Sequence, residues 1–169
     1  QKRKYNGRWG PKKMDNLHRI LFPINLNNNH WVLCVYDLTR NNLIWHDSLF
    51  LIKGIKSKDE KIAEANEVMD NIWEFLRCRY GITKGRCCIC DSLPQQDNGY
   101  DCGVFTLLYG HCVVFNNDVF PSAFKQENME MLRGRIEKQI QAKRVLSIEE
   151  LFSTNVISNN NNKNNNNNK

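Results

Sequence analysis

The chain reads as an α+β fold, a central mixed sheet packed by helices, and three stretches carry that reading. Trp31 to Leu38 is a continuous apolar run rich in β-formers. Thr39-Arg40-Asn41-Asn42 follows it with turn chemistry, so Leu43 to Asp47 is expected to return as the second strand of a hairpin. Ser57-Lys58-Asp59-Glu60 has the form of a capping box and opens a helix to about Tyr80, with Gly81 as its stop. Gly103 to Phe115 is almost wholly apolar and reads as a buried helix.

The remaining elements fall into place around these. Residues 1–19 are basic and irregular, and Arg19 to Leu26 is a short strand broken at Pro23, because proline has no N–H for a ladder. In the first long helix Ile62, Ala65, Met69, Ile72 and Leu76 line one face with Trp73 beside them, which makes that face core. Residues 86–93 read as a strand leading into a polar, Gly-containing loop. A last helix, about Glu127 to Arg144, sets Leu132, Ile136 and Ile140 on one stripe under a charged outer face. From Ser158 the chain is almost pure asparagine with Lys163 and Lys169, a composition that cannot bury apolar surface. The expected organisation is one domain over residues 1–152 and a disordered Asn-rich tail over 153–169.

Composition narrows the function. A chain of 169 residues suits one domain with a real core. The net charge of +6 is spread along it, with no basic run interleaved with aromatics, so no nucleic-acid partner is expected. No apolar run approaches the ~20 residues that span a bilayer, so no membrane partner is expected either. Seven cysteines is an odd number, and Cys34 and Cys112 sit inside apolar elements. That usage implies reduced thiols and an intracellular setting, nuclear and/or cytoplasmic. Cys87-Cys88-Ile89-Cys90 contains a Cys-x-x-Cys, but zinc needs a second ligand pair. His111-Cys112, the nearby candidate, lies in an apolar helix with its side chains pointing apart. No metal and no cofactor are expected.

One constellation carries chemistry. Cys102 stands between the loop Pro94 to Asp101 and the apolar helix, at a helix N-terminus. Unpaired backbone N–H groups and the helix dipole stabilise a thiolate there. His30, just before the first hairpin strand, is a candidate base, and Asp47, seventeen residues on, is a candidate acceptor for its ring. A hairpin turning between Leu38 and Asn42 carries Asp47 back towards His30, with the register open by a residue or two. Gln96 lies just upstream of the cysteine. Taken singly, each has a bland explanation: an inert small hydrophobe, a strand-edge histidine, a turn-capping aspartate, a solvated glutamine. Taken jointly, they suit nucleophilic acyl transfer.

His30-Trp31, Asp47-Ser48 and Gln96 to Gly103, in that order and at those spacings, resemble the signature of the SUMO-specific cysteine proteases, the Ulp/sentrin-protease family. Phe22-Pro23-Ile24-Asn25-Leu26 is also of the family's kind, and the resemblance covers roughly residues 5 to 150. It implies a papain-like cysteine protease fold that cleaves after the Gly-Gly end of a ubiquitin-like modifier, SUMO or another such as NEDD8. It implies Cys102 as nucleophile and His30 as general base and then acid. Asp47 would fix the imidazole tautomer, and Gln96 would donate to the oxyanion. Trp31 would form one aromatic wall of a channel for the glycine tail, where its own alternative is a core indole. Family catalytic domains usually begin well upstream of the position matching Tyr5, so the resemblance also implies a missing N-terminal segment. Trp9 sits where the family has a different tryptophan, so it is not assigned to the channel. On that expectation the chain alone is marginally stable and weakly active, and a non-catalytic modifier-binding module is the competing reading.

Overall fold

The computed structural model describes residues 16–52, 54, 56–116, 120–121 and 123–153. The basic start, with Tyr5 and Trp9, and the Asn-rich tail from residue 154 lie outside the described residues. Four strands form one sheet in the order β1 (Arg19–Leu26), β2 (His30–Asp37), β3 (Asn42–His46) and β4 (Arg86–Ile89). The first three are antiparallel neighbours, and β4 runs parallel to β3. The long crossover between β3 and β4 contains α1 (Lys58–Tyr80). Then follow α2 (Cys102–Asn116), a short 3₁₀ turn (Gln126–Asn128), α3 (Met129–Ala142) and α4 (Ile148–Phe152). The expected α+β architecture is present.

Alternation along the strands sends side chains to two cores. Val32, Cys34 and Tyr36 of β2, with Leu43 and Trp45 of β3, pack on Ala65, Met69, Ile72, Trp73 and Leu76 of α1. The intervening Leu33 and Val35 face α2, joining Val104, Phe105, Leu108, Tyr109 and Cys112. Met129, Leu132, Leu151 and Phe152 close that second core from α3 and α4. With both faces covered, β2 is apolar without a break from Val32 to Tyr36.

Local chemistry sets the ends of these elements. The β1–β2 turn puts Asn27 and Asn28 at φ 52° and 58°, with the Asn29 N–H donating to the Leu26 carbonyl at 3.0 Å. Asparagine tolerates this left-handed geometry, which matches the twist of a hairpin. The capping box is formed at α1: the Glu60 N–H donates to Ser57 Oγ at 3.2 Å, and the Ser57 N–H to Glu60 Oε2 at 2.7 Å. Gly81 ends the helix in the left-handed region at φ 70°. Gly85 has no room for any side chain, since a Cβ there would lie 1.9 Å from the Asn41 carbonyl oxygen. That approach lets the Arg86 N–H reach the same carbonyl at 3.3 Å and start β4 beside β3.

Several expectations change. Pro23 does not break β1, because β1 is an edge strand among the described residues and Pro23 keeps its register opposite Leu33. The strand expected over 86–93 stops at Ile89, after which the Cys90 N–H adds one bond to the Trp45 carbonyl at 2.9 Å. Asp91-Ser92 and Pro94 then lead the chain away as irregular backbone. The last long helix is shorter than expected, ending where Lys143 turns left-handed at φ 49°. Its stripe is buried at Leu132, but Ile140 is 70% exposed. On α2, likewise, Leu107, Val114 and Phe115 lie open to solvent. The short α4 was not anticipated, although its capping box, Ser147 with Glu150, was there to read. Among the described residues no helix is long and apolar enough to cross a membrane.

Gly85→Ala should destabilise the fold by about 1–3 kcal/mol, as overpacking against fixed backbone does. A urea melt would register the loss, and a midpoint equal to that of the parent chain would mean that the β3–β4 approach yields to a methyl group.

Candidate active site

Continuing the β2–β3 register one step beyond Leu33↔His46 sets Asp47 opposite Val32. His30, two residues before Val32, is then a diagonal neighbour of Asp47 on the same face of the sheet, within reach of a side-chain bond. The bond is made: His30 Nε2 lies 2.7 Å from Asp47 Oδ1. The same carboxylate oxygen accepts the Leu49 N–H at 2.8 Å, which fixes its orientation. With Nε2 engaged by Asp47, Nδ1 of His30 is buried and makes no hydrogen bond among the described residues.

Cys102 is the first residue of α2 and is 6% exposed. The Phe105 N–H donates to the Asp101 carbonyl at 3.0 Å, so that bond begins the helical ladder. The N–H groups of Cys102, Gly103 and Val104 therefore precede the ladder and point out of the helix start. The Cys102 sulfur lies close enough to the His30 ring to influence its charge. Burial opposes protonation of His30, but the Asp47 carboxylate and then Cys102 outweigh it and raise the imidazole above its ordinary value. A ring poised this way, with one nitrogen anchored and the other free beside a thiol, can take and return a proton.

Gln96 is 1% exposed and sits against the same corner. Its Oε1 accepts from Ser48 Oγ at 2.6 Å, and its Nε2 donates to the Asn98 carbonyl at 2.5 Å. An amide nitrogen has two hydrogens, so one remains uncommitted. Trp31 is 41% exposed, which rules out the core-indole alternative. The buried indole of this sheet is Trp45. Trp31 instead leans on the start of α2, where a Cβ on Gly103 would meet its Cδ1 at 3.6 Å. All five residues singled out in the sequence thus gather at one end of the sheet.

A model of the Ulp1 protease family, C-terminal catalytic domain, matches residues 2–148. The chain belongs to this family. Among curated Ulp1-family relatives, sentrin-specific protease 5 of Mus musculus is 36% identical over 152 residues, 84% of this chain and 18% of its own length. Ubiquitin-like-specific protease 1 of Saccharomyces cerevisiae is 31% identical over 118 residues, 64% of this chain and 18% of its own. The chain thus spans about a fifth of the length of these curated relatives. The solved Ulp1 protease domain in complex with Smt3, the yeast ortholog of SUMO, is similar in fold, with TM-score 0.58 and 27% identity. That likeness covers 77% of this chain and 55% of the other.

The Ulp1-family corner also contains groups that sequence reasoning passed over. Asp101, next to Cys102, is buried and accepts from Asn98 Nδ2 and from Gln126 Nε2, each at 2.7 Å, and from Arg133. Burial works against its ionisation, but those three donors prevail and hold its carboxyl below the usual carboxylate range. Arg133 therefore neutralises a buried carboxylate one residue away from Cys102. Gln95 ties the two loops together, its Nε2 donating to the Asp47 carbonyl at 3.2 Å while its Oε1 accepts the Leu51 N–H at 3.0 Å. Ser48 and Asn98 were in view within the motifs, but Arg133, on another helix 32 residues from Asp101, left no local signal.

Cys87 faces the α1 core, where Trp73 Nε1 donates to its sulfur at 3.2 Å, while Cys90 packs on the opposite core. The two ends of the Cys-x-x-Cys thus face apart. Among the described residues no group of three or more His, Cys, Asp or Glu converges as a metal site. Burial pushes the Cys34 and Cys112 thiols up to about 12, leaving them inert near neutral pH.

The Asp101 cage has a measurable pH signature. Its folded pKa lies below the unfolded value of about 3.9, so its contribution is present above that value and is lost as pH falls through the folded one. Asp101→Asn should lower stability near neutrality and flatten the acid side of the stability–pH curve. Parallel acid slopes in the variant and the parent chain would remove Asp101 from the acid transition.

Proposed function

We propose that this chain is the catalytic domain of a cysteine peptidase that cleaves after the C-terminal Gly-Gly of a ubiquitin-like modifier, most specifically SUMO. The observation that carries this reading is the His30–Asp47 bond at 2.7 Å, with Nδ1 of His30 left free beside Cys102 at the start of α2. In the proposed cycle His30 takes the Cys102 proton through Nδ1, and the thiolate attacks the carbonyl of the terminal glycine. Negative charge grows on that oxygen. The second hydrogen of Gln96 Nε2 and the backbone N–H of Cys102 are the donors for it, each worth on the order of 3 kcal/mol in such a role. The imidazolium then protonates the departing amine, a lysine side chain in a conjugate or the next residue in a precursor. Water, activated by the same ring, hydrolyses the thioester. Asp47 keeps the ring in the tautomer that has Nδ1 free.

Trp31, exposed over Gly103, is the proposed wall of the substrate channel. Glycine alone lets an extended tail pass a flat aromatic side chain without a Cβ in the way. Support for SUMO comes from the likeness to a protease domain solved with the yeast SUMO ortholog. The seven cysteines stand as thiols rather than disulfides, which supports work in a reducing compartment, the nucleus and/or cytoplasm.

Probes built on SUMO, NEDD8 and ubiquitin, each ending in a thiol-reactive group, test the reading. The expected result is covalent capture of the SUMO probe at Cys102, abolished in Cys102→Ser. Capture by the NEDD8 probe alone would move the substrate. Reversible binding without capture would make the chain a modifier-binding module and end the peptidase reading.

Variant kinetics separate the proposed roles. His30→Ala should be as damaging as Cys102→Ser, and Asp47→Asn should lose less but still orders of magnitude. Gln96→Ala should lower kcat by roughly a hundredfold with little change in KM. A Gln96→Ala variant that turned over at the parent rate would take Gln96 out of the oxyanion site.

A further inference from the structure

Ser48 and Gln96 join the loop after β3 to the loop before α2. Both side chains are 1% exposed. The backbone is bonded as well, with the Gln96 N–H donating to the Ser48 carbonyl at 3.0 Å. The two ends of an amide side chain are nearly alike in shape, so its partners decide which end faces where. The Asn98 carbonyl accepts only, and at 2.5 Å it fixes Nε2 on its side. Oε1 must then face Ser48, whose hydroxyl is left in the donor role at 2.6 Å. Without that hydroxyl, Oε1 would be a buried acceptor with no partner, free to rotate in search of one.

The loop that carries Ser48 is itself anchored. The Lys61 ammonium on α1 collects the carbonyls of Leu49, Phe50 and Ile52 at 2.7, 3.2 and 2.6 Å. Leu49 is also tied back through its N–H to Asp47 Oδ1. Ser48 therefore stands between two fixed neighbours, and its hydroxyl has a set direction. Oxyanion donors work because they are aimed before the charge forms.

We propose that Ser48 is a positioning residue for the oxyanion donor: its hydroxyl locks the Gln96 amide so that the second Nε2 hydrogen points at the developing charge. Ser48 touches no substrate and acts only through Gln96. The inference rests on the peptidase reading above.

The test is a cycle of Ser48→Ala, Gln96→Ala and the double variant in the full chain. Three quantities are read: kcat and KM for cleavage of a SUMO precursor, the rate and pH profile of Cys102 alkylation by iodoacetamide with peptide mapping, and the melt. Alkylation displaces iodide and builds no oxyanion, so it depends on the thiolate and His30 and not on the Gln96 amide. Ser48→Ala should lower kcat by roughly tenfold to a hundredfold, within the loss known for an oxyanion donor, and leave KM nearly unchanged. The alkylation rate and its pH profile should match the parent, and the double variant should be no slower than Gln96→Ala. Ser48→Cys, similar in shape but a weaker donor, should fall between parent and alanine, and it carries the test if the alanine variant does not melt cooperatively. Multiplying losses in the double variant, or alkylation falling in step with kcat, would overturn the role of Ser48. A parent chain that alkylates normally but cleaves no modifier would instead overturn the peptidase reading and take this inference with it.

Discussion

The register between β2 and β3 is the constraint on which the rest depends. His30 and Asp47 meet only because Leu33 pairs with His46, which leaves the two polar residues as diagonal neighbours on one face. A slip of one residue would turn Asp47 to the opposite face and break the contact. Here the slip is resisted from both sides. It would drive Val32, Cys34 and Tyr36 out of the α1 core and Leu33 and Val35 out of the α2 core together. A sheet buried on both faces thus protects a polar contact by apolar means, and a hairpin with one wet face would hold it less firmly.

Around that contact the polar groups are arranged as a set of mutual restraints. Asp47 orients His30, Leu49 orients Asp47, and Lys61 gathers the backbone that follows. Gln95 and Gln96 bind the second loop to the first, and Asp101, caged by Asn98, Gln126 and Arg133, fixes the approach to Cys102. Buried polar groups of this kind are costly unless satisfied, and once satisfied they specify one arrangement. Their partners come from β2, both loops, α1 and α3, so the corner can assemble only when the domain has folded.

What the sequence disclosed follows from how local each signal was. The hairpin, the α1 caps at Ser57 and Gly81, and Cys102 at a helix start all rest on residues a few positions apart, and all were legible. The His30–Asp47 contact was legible except for its register, which depends on packing across both cores. Pro23 misled because its effect on a strand depends on whether that strand is an edge, a tertiary fact. Asp101 with Arg133, and Lys61 with three carbonyls, pair groups from separate elements, and no periodicity encodes such meetings. The apolar run of α2 spoke for burial, and its exposed side, Leu107, Val114 and Phe115, runs against the composition.

Pro23 carries a consequence for how molecules of this protein behave towards one another. β1 is the outer strand of the sheet among the described elements, and such a strand offers its free backbone groups as a template for a neighbouring chain. A proline in its middle removes one donor from that row and adds a ring where a visiting strand would have to lie flat. The residue that does no harm to the fold thereby makes this edge of the sheet a poor seed for growth, so crowded copies are discouraged from zipping together along β1.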